Sequence, residues 1–256
     1  MCWTATKRIS SVMLTTHERK GLMKYELRLH DGHMMISLFE GIFIIDTGAP
    51  TSFSRRGKLS FGGRQIDVPI NAMGMLDADT LSGYVGTRLD GLIGMDVLKK
   101  FKLTFFARST LFVEKSGGDD NSIAPISDSS FLPLETNDFM GIPVVSMKVD
   151  KRPVRMFVDT GAKVSYLDPQ MLVDFKVEGT VHDFYPGVGE FDVDISTVWC
   201  DLNGWPFPAK FGRLPALLQM TLMFGGVDGI IGHDLFDSYT IRFECGGRPI
   251  LFVPHI

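Results

Sequence analysis

The residues best suited to chemistry are two aspartates, each followed by the same three residues. Asp46 begins Asp-Thr-Gly-Ala at 46–49, and Asp159 begins the same motif at 159–162. Each motif follows an apolar run, which predicts a carboxylate at a strand end, and glycine at the third position permits close backbone approach. Two carboxyl groups that meet cannot both ionise easily. They would share a proton and so supply one acid and one base.

The two motifs belong to an internal repeat. KYELRLHDGHMMISLFEGIFIIDTGA in the first half corresponds to GIPVVSMKVDKRPVRMFVDTGA in the second. Further along, LDGLIGMDVLKKFKLTFF (89–106) matches VDGIIGHDLFDSYTIRF (227–243). A duplicated chain is expected to fold with approximate two-fold symmetry, which would bring both aspartates to the axis.

Short runs of alternating apolar and polar residues, separated by glycine-rich turns, predict an all-β fold. Helical patterns are confined to short pieces such as 96–101 and 234–239. The polar stretch 115–130 is typical of a linker. The predicted organisation has four parts: a tail or base-sheet strand at 1–21, an N-terminal lobe at 22–114, the linker at 115–130 and a C-terminal lobe at 131–256.

Composition excludes several classes of protein. The net charge of −4 gives no indication of a nucleic-acid partner, and no apolar run is long enough to span a membrane. The three cysteines have neither disulfide nor zinc spacing, so we expect no metal and no cofactor. Free thiols and the lack of a signal-peptide pattern near the start favour a cytoplasmic location.

These residues resemble the pepsin and retropepsin superfamily of aspartic proteases. The resemblance covers most of 22–256 and rests on FIIDTGA (43–49), LIG (92–94), FVDTGA (157–162) and IIG (230–232). It implies a bilobal all-β fold of two pseudo-symmetric, β-barrel-like lobes with short helices. Each lobe would have retropepsin-like size, and both would lie in one chain, so the resemblance implies a monomer.

The resemblance also implies a function and a site. The chain would be an aspartic endopeptidase that acts on extended polypeptides, with Asp46 and Asp159 as its catalytic dyad. The threonines would exchange hydrogen bonds across the axis, and the glycines would offer backbone groups to substrate. The supporting residues of the two loops would be Thr47, Gly48, Ala49, Thr160, Gly161 and Ala162.

Two departures from the family pattern matter. Retropepsins commonly carry arginine after the apolar-apolar-Gly segment, where this chain has Met95 and His233. Pepsins usually carry a hydroxyl residue after Asp-Thr-Gly, where this chain has Ala49 and Ala162. Alanine cannot donate a side-chain hydrogen bond to the carboxylate. We therefore expect the dyad to titrate higher than in pepsin, with a mildly acidic optimum.

The second half contains a candidate flap. Asp46 precedes Gly94 by 48 positions, whereas Asp159 precedes Gly232 by 73. Part of the difference is 182–200, two strand-like runs joined at Pro-Gly-Val-Gly, which predicts a β-hairpin. The flap and substrate-binding residues would be Tyr185, Gly187, Val188 and Gly189. The first half lacks such a hairpin, which reverses the arrangement of pepsins; the alternative is a surface hairpin without a gating role.

Two other functions fit the same sequence. A catalytically inactive descendant could bind peptides in the same cleft and keep its aspartates for structural reasons. A structural or adaptor β-domain is the third possibility, but no sequence feature favours it. Both Asp-Thr-Gly motifs are present, which favours the endopeptidase over the inactive peptide-binding protein.

Overall fold

The computed structural model describes residues 21–72, 76–115, 128–185, 189–247 and 250–255. The predicted N-terminal tail lies outside these ranges except for Gly21. Most of the predicted linker, residues 116–127, lies outside them as well. The predicted boundaries between tail, lobes and linker therefore stay predictions.

The described residues between 21 and 115 form strands joined mainly by tight turns, with two helices, α1 (Ala78–Val85) and α2 (Met95–Leu98). The strands are β1 (Leu22–Glu26), β2 (Arg28–His30), β3 (His33–Leu38), β4 (Gly41–Ile45), β5 (Phe53–Ser54), β6 (Lys58–Phe61), β7 (Arg64–Asp67), β8 (Asn71–Ala72), β9 (Leu76–Asp77), β10 (Gly91–Ile93), β11 (Phe101–Phe106) and β12 (Thr110–Lys115).

The second half has longer strands and two further helices, α3 (Ala216–Phe224) and α4 (Asp234–Ser238). The strands are β13 (Leu132–Pro133), β14 (Thr136–Phe139), β15 (Ile142–Val149), β16 (Arg152–Val158), β17 (Ser165–Leu167), β18 (Gly179–Tyr185), β19 (Gly189–Leu202), β20 (Trp205–Arg213), β21 (Gly229–Ile231), β22 (Tyr239–Phe243) and β23 (Ile250–Pro254). Short 3₁₀ turns lie at Asp128–Ser130 and Pro169–Leu172.

These strands form three main sheets. A five-stranded sheet (β2-β3-β4-β10-β5) comes from the first half, and an eight-stranded sheet (β14-β15-β16-β21-β17-β20-β19-β18) comes from the second. A six-stranded sheet (β1-β12-β11-β22-β23-β13) takes strands from both halves. Two short pairings, β6–β7 and β8–β9, complete the set within the described residues. The prediction of an all-β class is confirmed.

The repeat is visible in the strand pairings beside each aspartate. Strand β4 pairs in parallel with β10, and β16 pairs in parallel with β21. The backbone N–H of Asp46 donates to Ile93 at 3.0 Å, and that of Asp159 donates to Ile231 at the same distance. Each aspartate is thus fixed at the end of a buried central strand.

The two halves share a hydrophobic core at the six-stranded sheet. Phe105 of β11 packs edge-on against Phe236 at 5.2 Å and against Phe243 at 5.8 Å, measured between ring centroids. Burying a side chain of this size stabilises the fold by about 1.5–3 kcal/mol. The shared core limits how far the two halves can move relative to each other.

Helices depart furthest from the sequence expectations. The patterns at 96–101 and 234–239 predict α2 and α4 but give no indication of α1 or α3. Helix α1 has local signals: Asp77 caps it by accepting from the Thr80 N–H at 2.8 Å, and Gly86 ends it with φ of 70°. No helix in the described ranges combines the length and apolar character needed to cross a membrane.

Candidate active site

The fold brings the two Asp-Thr-Gly loops face to face. A Cβ added to Gly48 would overlap the Asp159 carboxylate, and one added to Gly161 would lie 2.5 Å from the Asp46 Cγ. Each glycine therefore makes room for the carboxylate of the opposite loop, which any side chain would displace. The predicted residues of both loops meet at one place.

Backbone N–H groups orient each carboxylate. Asp46 Oδ1 accepts from the Gly48 N–H at 2.8 Å and from the Ala49 N–H at 2.9 Å. Asp159 Oδ1 accepts from the Gly161 N–H at 2.8 Å. These bonds hold one oxygen of each aspartate in place, because hydrogen bonds to a charged acceptor are stronger than neutral ones.

The two threonines are cross-linked by four hydrogen bonds. The Thr47 hydroxyl donates to the Val158 carbonyl at 2.6 Å and accepts from the Thr160 N–H at 3.0 Å. The Thr160 hydroxyl donates to the Ile45 carbonyl at 2.7 Å and accepts from the Thr47 N–H at 3.0 Å. Both threonines are fully buried, so this network fixes the spacing of the loops from inside the protein.

Two serines, one in each half, also form hydrogen bonds near the loops, and they were not among the predicted site residues. Ser52 Oγ accepts from the Gly94 N–H at 2.8 Å and donates to Asp96 at 2.5 Å. In the second half, Ser165 Oγ accepts from the Gly232 N–H at 3.0 Å. Comparing the two copies could have found these residues, since each serine lies six positions after the aspartate of its Asp-Thr-Gly motif.

Removing the Ser52 hydroxyl is expected to loosen the first active-site loop. Ser52→Ala leaves the buried Gly94 N–H without its acceptor, which costs about 1–3 kcal/mol of unfolding free energy. Urea denaturation of Ser52→Ala beside the exposed control Ser109→Ala measures this loss. Equal midpoints for the two variants would contradict the role given to Ser52.

The pKa of Asp46 is raised well above its usual value. Burial is the main cause; the neighbouring Asp159 charge and the hydrogen bond to it act in the same direction, against the N–H groups of Gly48 and Ala49. Burial also raises the pKa of Asp159, where the N–H groups of Gly161 and Ala162 act in the opposite direction. The pair therefore retains one proton at pH values where an isolated carboxyl group is ionised.

A small cavity of about 60 Å³ lies over the two carboxyl groups. Its walls are mostly apolar and come from both halves; they include Ile44, Leu76, Leu81, Leu92, Ala162, Tyr166, Phe184, Tyr185 and Ile230. This volume is enough for a few water molecules.

The hairpin of β18 and β19 forms one side of this cavity. Tyr185 lies at the end of β18, where burial raises the pKa of its hydroxyl group and the charges of both aspartates add to the effect. Gly189 begins β19 with φ of 89°. The predicted tip residues Gly187 and Val188 lie outside the described residues, so the flap stays a prediction.

Phe184 connects this hairpin to the first half. Its ring stacks on Tyr84 of α1 with centroids 4.7 Å apart and an interplanar angle of 15°. It also contacts the His33 ring at 5.8 Å. Neither Phe184 nor Tyr84 has a motif to mark it, because their contact depends on chain segments far apart in sequence.

Three other polar residues surround the cavity. The Tyr166 hydroxyl donates to the buried Asp183 carboxylate, whose other oxygen accepts from the Phe184 N–H at 2.8 Å. Lys163 lies directly after the second motif; it pairs with Asp31 at 2.6 Å and donates to the His182 carbonyl at 3.0 Å. Lys163 thus links the second loop to the first half and to the hairpin.

Met95 and His233, which stand where retropepsins commonly carry arginine, lie where short helices begin. Met95 is buried in the core, and His233 precedes α4. His233, Asp234 and Asp237 are the one group of potential metal ligands found among the described residues. Asp234 already accepts from the Lys210 N–H at 3.2 Å, and Asp237 pairs with Arg108, so these carboxylates have protein partners.

Comparison with known proteins gives little further information. No family model matches the chain, and no curated protein matches it. Among solved structures, the protease of simian foamy virus (mac) is similar over 40% of this chain and 88% of that chain, with 14% identity and a TM-score of 0.27. A TM-score this low indicates at most a local likeness, so an activity must be argued from the site itself.

Proposed function

We propose that this protein is an aspartic-type endopeptidase with two lobes in one chain and Asp46 and Asp159 as its catalytic pair. The observation that carries the proposal is the meeting of two Asp-Thr-Gly loops, each glycine accommodating the opposite carboxylate. The crossed threonine bonds support it, because they hold both carboxyl groups at a fixed separation.

The shared proton gives the pair its chemistry. One carboxylate accepts a proton from a bound water molecule while the oxygen of that water attacks the amide carbonyl carbon. The protonated carboxyl group donates to the carbonyl oxygen, which would otherwise carry a negative charge. The newly protonated carboxyl group then donates its proton to the amide nitrogen while the other carboxylate takes a proton from the diol. The C–N bond breaks, an amine and a carboxylic acid are released, and the pair again holds one proton.

The substrate in this proposal is a polypeptide in extended conformation. The Gly48 backbone lies beside the carboxyl groups, and its carbonyl could pair with the substrate backbone, as in strand addition. The Gly161 N–H and carbonyl already bond to Asp159 and His33. Ile44, Leu92 and Ile230 make the cavity wall apolar on both sides of the dyad. Apolar side chains next to the scissile bond would therefore bind best.

The β18–β19 hairpin is proposed as a lid over the substrate. Phe184 and Tyr185 of the hairpin line the cavity over the two carboxyl groups. The stacked rings of Phe184 and Tyr84 connect the hairpin to the first half and would favour the closed position. Closure excludes water and strengthens the electrostatic interactions around the dyad.

Replacing Phe184 by alanine is expected to weaken lid closure. An aromatic pair contributes about 0.5–1.5 kcal/mol beyond area burial, so kcat/KM of Phe184→Ala should fall about tenfold. Steady-state kinetics would measure this, with Phe39→Ala as the matched control because Phe39 is exposed in another turn. An unchanged kcat/KM in Phe184→Ala would contradict a lid held by this contact.

A peptide-library digest across pH 3–8 tests the proposed function. The wild-type protein should cleave between apolar residues, with a hydroxyl-bearing peptide mimic as a competitive inhibitor, and Asp46→Asn should be inactive. Cleavage that persists in Asp46→Asn would overturn the proposal. If the wild type binds the mimic but cleaves nothing, the protein is a peptide-binding protein of the same fold.

A further inference from the structure

His33 is a buried histidine that reaches from the first half of the chain to the second active-site loop. The residue is 4% exposed, and Nδ1 lies 2.7 Å from the carbonyl oxygen of Gly161. A carbonyl oxygen can only accept, so Nδ1 carries the hydrogen and donates it. In the neutral ring, Nε2 is then the unprotonated nitrogen.

The turn before His33 places its ring beside the second Asp-Thr-Gly loop. Asp31 and Gly32 have φ values of 46° and 87°, as the tight two-residue turn between β2 and β3 requires. A Cβ on Gly32 would lie 2.7 Å from Lys163 Cγ, so the turn packs directly against the chain that follows the second motif. The Asp31–Lys163 ion pair at 2.6 Å fixes the same contact.

The internal repeat shows that this contact has no equivalent donor in the other half. Met35 pairs with Ile44, and Val144 pairs with Phe157, each partner being two residues before its aspartate. By this register, Ile142 occupies the position that corresponds to His33. An isoleucine side chain cannot donate a hydrogen bond. Ile142 therefore cannot bond to the first loop as His33 bonds to the second.

The bound carbonyl belongs to a peptide group that acts on Asp159. The Gly161–Ala162 peptide carries the carbonyl held by His33 at one end and the Ala162 N–H at the other. That N–H counteracts the effect of burial on the pKa of Asp159. Holding the carbonyl therefore fixes the direction of a dipole that stabilises the charged form of Asp159.

We propose that His33 is a positioning residue that orients the second active-site loop for catalysis. The inference rests on the proposed endopeptidase function. It predicts that the ring acts through the Gly161 carbonyl and takes no part in bond making or breaking. The hydrogen bond, and not the volume of the ring, is the feature that catalysis requires.

The surroundings of His33 shift the pKa of its ring in opposite directions. Asp31 and Asp183 favour protonation, as does the Gly161 carbonyl, whereas burial and Lys163 oppose it. Burial is the largest effect, and the pKa of His33 is lowered from its usual value. A histidine with a lowered pKa stabilises the fold above its unfolded pKa, near 6.5, and loses this contribution as pH falls through the folded value.

Two substitutions separate the hydrogen bond from the ring. His33→Asn keeps an N–H donor near the Nδ1 position but cannot titrate, and His33→Leu keeps apolar bulk without a donor. We expect His33→Leu to lower kcat about 10- to 100-fold with KM changed less than threefold. His33→Asn should keep kcat within about fivefold of wild type.

The matched controls are His30→Asn and His30→Leu, which alter the exposed histidine opposite His33 in the same hairpin. Equal kcat losses in His33→Asn and His33→Leu would overturn the proposal, because bulk alone would then matter. Unchanged kcat in His33→Leu would overturn it too.

Nitrogen-15 NMR of the wild-type protein tests the link without activity. A neutral ring protonated at Nδ1, titrating below pH 6.5, supports the proposal, whereas a ring protonated at Nε2 overturns it. If the protein cleaves no peptide at all, the proposed function fails. The NMR result still decides whether His33 holds the second loop.

Discussion

Asp46→Asn and Asp159→Asn are each expected to lower kcat/KM for peptide hydrolysis by at least about a thousandfold. General acid–base catalysis by a positioned side chain typically contributes 10²- to 10⁴-fold, and each substitution leaves a single carboxyl group, which can act as the acid or as the base but not as both. An amide in place of one carboxyl group can neither protonate the amide nitrogen of the substrate nor deprotonate water. Cleavage of the preferred library peptide, measured at the pH optimum, gives the loss directly.

The same substitution should leave the fold intact and change its pH dependence. The pKa of Asp46 is raised in the folded protein, so its contribution to stability is present at low pH. The contribution is lost as pH rises from the ordinary carboxyl range through the folded value. Asp46→Asn removes this loss, and its unfolding free energy should therefore fall less than that of wild type between pH 4 and pH 8.

A matched control separates the dyad from any general effect of removing a negative charge. Asp67 lies exposed on β7, and Asp67→Asn should retain wild-type kcat/KM. The prediction fails if Asp46→Asn unfolds at a lower urea concentration than Asp67→Asn at pH 7. In that case the carboxyl group would have a structural role, as the inactive peptide-binding alternative requires.

Much of this site can be predicted from local sequence patterns, because each half of the chain contains a copy of the same motif. Each Asp-Thr-Gly motif follows a buried strand, and the repeat predicts that both arrive at one axis. The pairing of Thr47 with Thr160 follows from the family resemblance and agrees with the hydrogen bonds. The all-β class follows from period-two patterns in strands such as β15, whose buried and exposed residues mostly alternate from Val145 onward.

The remainder of the site depends on contacts that do not repeat. His33, Tyr84 and Phe184 meet only after the two halves have packed together, and no spacing in the sequence relates them. Helix α3 lacks charged residues and a side-chain cap, so neither amphipathic pattern nor capping signal marks it. Symmetry-related features are thus predictable from one copy to the other, whereas asymmetric ones require tertiary structure.

The second large effect, on stability and activity, is expected when Thr47 is replaced, since its hydroxyl group bonds to the opposite Asp-Thr-Gly loop. Thr47→Val keeps the shape of the side chain but removes the hydroxyl that donates to the Val158 carbonyl and accepts from the Thr160 N–H. Both groups would be left buried without this partner, at about 1–3 kcal/mol each. We therefore expect Thr47→Val to lose about 2–5 kcal/mol of unfolding free energy, and to lose most of its activity because the loops separate.

Thr47→Ser is the matched variant, since it retains the hydroxyl and loses only a methyl group. It should lose under about 1.5 kcal/mol of unfolding free energy and keep most of its activity.

Combining Thr47→Val with Thr160→Val in a double-mutant cycle should give a total loss of unfolding free energy at least about 1 kcal/mol smaller than the sum of the single losses. The first substitution already separates the loops, so the remaining threonine hydroxyl contributes less to stability than it does in the wild-type protein. Strict additivity, or equal losses in Thr47→Ser and Thr47→Val, would show that the loops are held by something other than these hydrogen bonds.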